Sequence, residues 1–291
     1  MQGCRDKQED DIIVPEPFNR LQSDQTFQSS ILKRKVSYAV ILPEGYDTTN
    51  VSYPVIYLLH GFGDDYTAWY KGGKIQQYVD NYRNAIGQVI LVMPDGGNSY
   101  WVNRYNGQYQ IMDMLVNEMT NVIDTAYRTI KDAEARAVMG YSMGGYGALV
   151  TVAKNPEVFF TCVSLSMSFR TDSQYLAEPQ EIFDYQWGSV FGGRGKSGDE
   201  RLTPYFMEYS PFHFFNNPDD PSYSSQNYYL ACGDDEESLD VTNQELHDLM
   251  STNGIEHTYS TGSGGHSWTY WHREMPKALE FIGNSFGEFK R

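Results

Sequence analysis

The sequence predicts an α/β protein with a mainly parallel central sheet and helices on both faces. Short apolar runs alternate along the chain with longer segments whose apolar residues recur at helical spacing, as in strands joined by crossover helices. The runs are almost continuously apolar, as expected of strands covered on both faces. Two of them, "YPVIYLLHGFGDD" and "QVILVMPDGG", pass directly into glycine turns. Right-handed crossovers then restrict the topology to few choices.

Residues 1–30 read as a polar leader with weak patterning. "KVSYAVILPEGYD" (35–47) alternates like a strand and ends in turn residues, and the runs at 53–65 and 88–97 are buried strands. Residues 109–130 carry apolar residues at helical spacing. "ARAVMGYS" (135–142) is a short strand, and "GGYGALVTVAKNP" a helix stopped before Pro156. "FTCVSLSMS" and "NYYLACGDD" are strands, and "VTNQELHDLMSTNG" is a helix ending at Gly254. "HTYSTGSGGHSW" supplies a last strand and loop, and "TYWHREMPKALEFIGNSF" a closing helix. Residues 169–226, rich in Pro, Gly, Asp, Tyr and Phe, lack clean periodicity and read as a partly helical insertion packed over the sheet. With no internal repeat and no linker, residues 31–291 are expected to form one domain, which 291 residues can fill.

Acidic residues outnumber basic ones 38 to 22, for a formal charge of −16. That disfavours nucleic acid or an anionic membrane as partner, since both are bound by clustered Lys and Arg, and it suits a neutral ligand. Aromatics make up 15%, with 23 tyrosines; some could stack on sugar or phenolic rings, while most are expected in the core. Cys162 and Cys232 lie in apolar runs and read as small buried hydrophobes. No run is long enough to span a bilayer. The start, "MQGCRDKQEDD", resembles the end of a bacterial lipoprotein signal, with Cys4 as the residue that would be lipidated. The alternative is an incidental cysteine in a polar tail.

"VMGYSMGGYGAL" (138–149) places Ser142 in the spacing G-x-S-x-G between a strand and a helix, the setting of a nucleophile elbow. Gly140 and Gly144 would let the backbone turn without Cβ clashes. A serine hydroxyl needs a base, and the base an orienting acid. Of His213, His247, His257, His266 and His272, only His266 lies in a glycine-rich loop after the last strand, where an imidazole reaches back over the sheet. "YYLACGDDEES" offers Asp234, Asp235, Glu236 and Glu237 as the acid, although such a run taken alone is more often a solvated turn.

The blocks "YPVIYLLHGFGDDYTAW", "VMPDGGNSYW", "YRTIKDAEARAVMGYSMGGYGAL", "YLACGDDEE" and "GGHSWTYW" follow in order within roughly residues 35–285. They resemble the esterase D-like branch of the α/β-hydrolases, and within it the family-one carbohydrate esterases, which include feruloyl and acetylxylan esterases. The resemblance implies an α/β-hydrolase fold with Ser142 as nucleophile and His266 as base. It also implies an oxyanion hole from the backbone N–H groups of Phe62 and Met143. The family usually carries Asp three residues after the glycine that ends the acid-bearing strand. Counted from Gly233 that position is Glu236, with Asp235 as the alternative.

The expected activity is serine carboxylester hydrolysis, removing feruloyl or, second, acetyl substituents from plant cell-wall polysaccharide such as xylan. The enzyme would be secreted, periplasmic or outer-membrane attached, touching membrane only through Cys4. Its partner would be a small-molecule ester or esterified oligosaccharide, with Trp69, Trp101, Trp268 and Trp271 as candidate stacking surfaces. Related scaffolds hydrolyse S-formylglutathione or siderophore esters, and a carbohydrate-binding relative without catalysis is a third alternative. "FGGRGKSG" (191–198) imitates a phosphate loop, but the first glycine it needs is Val190. No metal-ligand spacing occurs, so neither cofactor nor metal is expected.

Overall fold

The computed structural model describes residues 18–217, 223 and 225–291; Cys4 lies outside them. The strands are β1 (Leu21–Ser29), β2 (Arg34–Ile41), β3 (Val55–Leu59), β4 (Ile90–Pro94), β5 (Arg136–Tyr141), β6 (Thr161–Leu165), β7 (Asn227–Gly233) and β8 (Thr258–Gly262). They form one sheet in the order β1-β2-β4-β3-β5-β6-β7-β8. β1 and β2 run antiparallel, as do β2 and β4, and every later pairing is parallel.

The central strands are apolar throughout because both faces are covered. Val55, Tyr57 and Leu59 of β3 face one core with Val92, Val138 and Cys162. Ile56 and Leu58 face the other with Leu91, Met139 and Val163, the period-two alternation of a pleated strand. The first core is closed by residues 111–126 and by the helix Met143–Lys154. The second is closed by Ile75–Asn81 and the terminal helix Trp268–Ser285, through Ile75, Val79, Met275, Leu279 and Ile282.

One expectation needs correction. Residues 21–29 are no part of a leader: they form the edge strand β1, hairpinned onto β2. An edge strand with little to bury takes polar residues such as Gln22, Asp24 and Gln28, which blunts its free side and hides it from a hydrophobicity pattern. The described part of the expected insertion, residues 169–217, is partly helical as its pattern suggested, with helices Asp172–Ala177, Pro204–Tyr209 and Pro211–Phe214 and a helical run over 180–191 that contains a π turn at Phe183–Trp187. The cohesion is aromatic: Phe169 stacks on Tyr146 of the sheet-covering helix at 4.4 Å, Tyr175 on Phe206 at 3.8 Å, and Tyr100 meets Trp187 at 4.6 Å.

Candidate active site

Ser142, Glu236 and His266 follow the carboxyl ends of β5, β7 and β8, the edge of a parallel sheet where ligands bind. Ser142 sits between β5 and the helix Met143–Lys154 with φ 57° and ψ −124°, a conformation serine adopts only when its surroundings impose it. Its N–H donates to Leu165 O at 2.9 Å, and its carbonyl accepts from Tyr146 and Ser168 at 3.1 Å each. The strain thus falls on the serine itself. The flanking glycines serve close approach instead: a Cβ on Gly140 would lie 2.0 Å from Gly144 O, and one on Gly144 2.2 Å from Leu59 O. Strand, helix and the β3 loop therefore meet backbone to backbone under Ser142.

His266 Nε2 lies 2.8 Å from Ser142 Oγ, and His266 Nδ1 lies 2.8 Å from Glu236 Oε2. The Glu236 side chain is fully buried, while the imidazole keeps 36% of its surface open to solvent. A buried carboxylate, a half-open imidazole and an accessible hydroxyl thus stand in one hydrogen-bonded line, an arrangement chemically able to pass a proton from Ser142 to His266.

Asp235 does not reach the imidazole. It is exposed, and its backbone N–H donates to Gly264 O at 3.0 Å; the Asp234 carboxylate accepts from Gly264 N at 3.1 Å. Both aspartates brace the loop that carries His266. Glu237 takes φ 53° where the chain turns into the helix Ser238–Thr252. The other downstream histidines are engaged elsewhere: His213 with Asp172 at 2.9 Å, His247 with His257 at 2.7 Å, and His272 with Gly72 O at 3.0 Å.

The loop after β3 passes beside the serine, where a Cβ on Gly61 would stand 3.5 Å from Ser142 Cβ. Phe62 belongs to this loop, and Met143 opens its helix, so the Met143 N–H has no intrahelical acceptor. The loop is tied from three sides. Gly63 N–H donates to Asn98 Oδ1 at 2.7 Å, Trp101 Nε1–H to His60 O at 3.1 Å, and Tyr141 Oη–H to Asp64 at 2.6 Å. Burial first, then the Asp64 carboxylate, push the Tyr141 phenol far above its usual value, so it stays a donor through alkaline pH. Buried His60 accepts from Gly96 N–H at 3.1 Å through Nε2, which leaves Nδ1–H to donate to Gly61 O at 2.8 Å.

Three of the tryptophans expected to stack on a ligand are buried instead. Trp69, Trp101 and Trp271 are 1%, 0% and 4% exposed, with their indole N–H groups donated to Leu59 O, His60 O and Ser166 Oγ. Their rings fill the space beneath the site loops. Trp268 is partly exposed but wedged against Gly72, Trp69 and Tyr141. Sequence reasoning missed Ser166, Asn98 and His60. Asn98 and His60 fall inside blocks that carry the resemblance, whereas Ser166 has no signature in "CVSLSMS". Among the described residues, no group of three or more His, Cys, Asp or Glu could hold a metal ion.

Residues 29–282 match one family model, named Esterase and described as "Putative esterase". The chain is 24% identical over 277 residues to an acetyl esterase of Caldicellulosiruptor saccharolyticus, covering 88% of this chain and 96% of that protein. A solved ferulic acid esterase superposes with TM-score 0.71 at 24% identity, over 92% of this chain and 100% of its own. S-formylglutathione hydrolase FrmB of Staphylococcus aureus superposes with TM-score 0.66 at 20% identity, over 90% of this chain and 98% of its own. These structural likenesses establish the α/β-hydrolase fold.

Proposed function

This chain belongs to the esterase family whose model spans its residues 29–282, a family of carboxylic ester hydrolases, and on that premise we propose that it is a serine esterase releasing feruloyl, or secondarily acetyl, groups from plant cell-wall polysaccharide. The observation that supports this most is the unbroken line of Ser142 Oγ, His266 and Glu236, with 2.8 Å at each junction. In this reading His266 Nε2 takes the proton of Ser142 as Oγ attacks the ester carbonyl. The Phe62 and Met143 N–H groups receive the oxyanion. Glu236 holds Nδ1–H, so the free nitrogen faces the serine, and stabilises the imidazolium. His266 then protonates the departing sugar oxygen, and water repeats the sequence on the acyl-enzyme to free the acid. The partner is an esterified oligosaccharide or a small ester. The protein acts outside the cytoplasm, attached through Cys4 if that residue is lipidated.

Hydrolysis of methyl ferulate, feruloylated arabinose, acetylated xylan and S-formylglutathione by the wild-type protein and Ser142→Ala tests the proposal. The feruloyl and acetyl esters should be cleaved best, and Ser142→Ala should lose several orders of magnitude. Preference for S-formylglutathione would replace the polysaccharide reading with a detoxifying one, and an active Ser142→Ala would end the mechanism.

A further inference from the structure

Behind the Ser142–His266–Glu236 line runs a second chain of hydrogen bonds. Trp271 Nε1 lies 2.8 Å from Ser166 Oγ, which lies 2.6 Å from Glu236 Oε1. An indole N–H can only donate, so the Ser166 oxygen accepts there and its single proton goes to Glu236. The direction is thereby set: Trp271 to Ser166 to Glu236. Gly233 N–H reaches the same Oε1 at 2.9 Å, which leaves Oε2 to His266.

Ser166, Glu236 and Trp271 are 0%, 4% and 4% exposed, so a donor removed here is not replaced by solvent. Ser166 holds φ 49° at the end of β6, a strained conformation for serine, kept in place by its N–H on Ala231 O at 2.6 Å. The Trp271 indole also lies edge-on to the His266 ring at 5.2 Å and 84°. One tryptophan thus feeds the acid through Ser166 and flanks the base directly.

We propose that Ser166 and Trp271 are positioning residues for the reaction: they lock the Glu236 carboxylate so that Oε2 alone faces His266. This rests on the reading of Ser142, His266 and Glu236 as a catalytic triad. Cys232, Tyr259 and Tyr270 also sense the Glu236 charge, but burial first raises all three well above their usual values, so they stay protonated near neutrality. Asp235 and Glu237 flank Glu236 in the chain and are exposed, and Asp240 follows one turn on.

The test measures kcat, KM and the pH profile of kcat/KM on one soluble acetate ester. The proteins are wild type, Ser142→Ala, Ser166→Ala, Ser166→Gly, Trp271→Phe and the double variant Ser166→Ala/Trp271→Phe. Ser166→Gly removes the hydroxyl while relieving the positive φ, which protects against a folding failure. Both Ser166 variants should lose about tenfold or more in kcat, the scale of a buried hydrogen bond to a charge, with KM within about twofold. Their acid limb should move to higher pH, because a carboxylate with one donor fewer holds the imidazolium more strongly. Trp271→Phe should lose less, and the double variant no more than Ser166→Ala, as expected of one relay. Wild-type kcat and acid limb in folded Ser166→Gly, or losses that multiply in the double variant, would overturn the relay alone. Ester hydrolysis that survives Ser142→Ala would instead overturn the triad on which it rests.

Discussion

At the residue scale the choice between two neighbouring carboxylates turns on burial. Glu236 is fully buried and meets the imidazole, while Asp235 is exposed and contributes its backbone to the histidine loop. The extra methylene of glutamate supplies the reach. Glu236→Gln keeps the shape but loses the charge and can present an N–H to the ring, favouring the wrong tautomer. On the scale of the corresponding change in a Ser-His-Asp protease, kcat should fall by about 10⁴. Asp235→Asn should stay within about tenfold on that same scale. Steady-state rates of both variants on one ester at neutral pH check this, and a crippled Asp235→Asn would reverse the assignment.

At the element scale the elbow depends on backbone surfaces that meet without side chains between them. Gly144→Ala would drive a Cβ to 2.2 Å from Leu59 O and 2.7 Å from His60 O, neither of which can rotate away. The helix must then lift off the β3 loop, at a cost of roughly 1–3 kcal/mol or more. A lower melting temperature together with reduced kcat is expected, since the same shift moves Met143 away from the loop of Phe62, the two residues whose N–H groups are proposed to receive the oxyanion. The β1–β2 hairpin is tied down by a charge. Glu118 accepts from Ser30 N at 2.8 Å, Ser30 Oγ at 2.6 Å, Ile31 N at 3.1 Å and the Ser29 hydroxyl. Burial raises this carboxyl, but those donors outweigh it and hold it below its usual value. A carboxylate depressed on folding stabilises above its unfolded pKa and loses that contribution as pH falls through the folded value. The difference in melting temperature between wild type and Glu118→Gln should therefore be largest near neutrality and close progressively in acid. A gap independent of pH would show that the charge contributes nothing.

At the scale of the whole molecule, the segment over 169–217 is a fixed cover rather than a loose appendage. Its Phe169, Tyr175, Trp187 and Phe206 continue the core through Tyr146 and Tyr100, and Tyr146 Oη–H donates to Tyr209 O at 2.9 Å. Cutting the cover away would strip the helix behind Ser142, so substrate choice is better tested at its rim. Tyr185, on the π turn, is 66% exposed and meets Phe62 of the β3 loop edge-on at 6.1 Å. Tyr185→Ala should leave the melting temperature unchanged and lower kcat/KM for feruloyl esters more than for acetate esters. Equal losses on both would put acyl selection elsewhere. Trp187→Ala, at the centre of the cluster, should instead cost about 3–5 kcal/mol of stability, read from denaturant unfolding.

The sequence by itself determined the layered α/β plan, because strands covered on both faces must be apolar throughout and the helices between them must carry a stripe. It also marked Ser142 and His266, since an elbow needs small residues at fixed spacing and a reaching imidazole needs a glycine-rich loop. Their meeting at 2.8 Å depends on the register of β5, β7 and β8. Only the tertiary structure decided the rest. β1 was hidden because an edge strand need bury little. Glu236 and Asp235 carry the same charge one residue apart, and only the turn after β7 decides which points inward. Trp69, Trp101 and Trp271 changed from ligand surfaces to internal props because their N–H groups found carbonyl and hydroxyl partners elsewhere in the chain. Ser166 became visible only when the ends of β6 and β7 and the start of the last helix were brought together, for a lone buried serine has no pattern until its neighbours surround it.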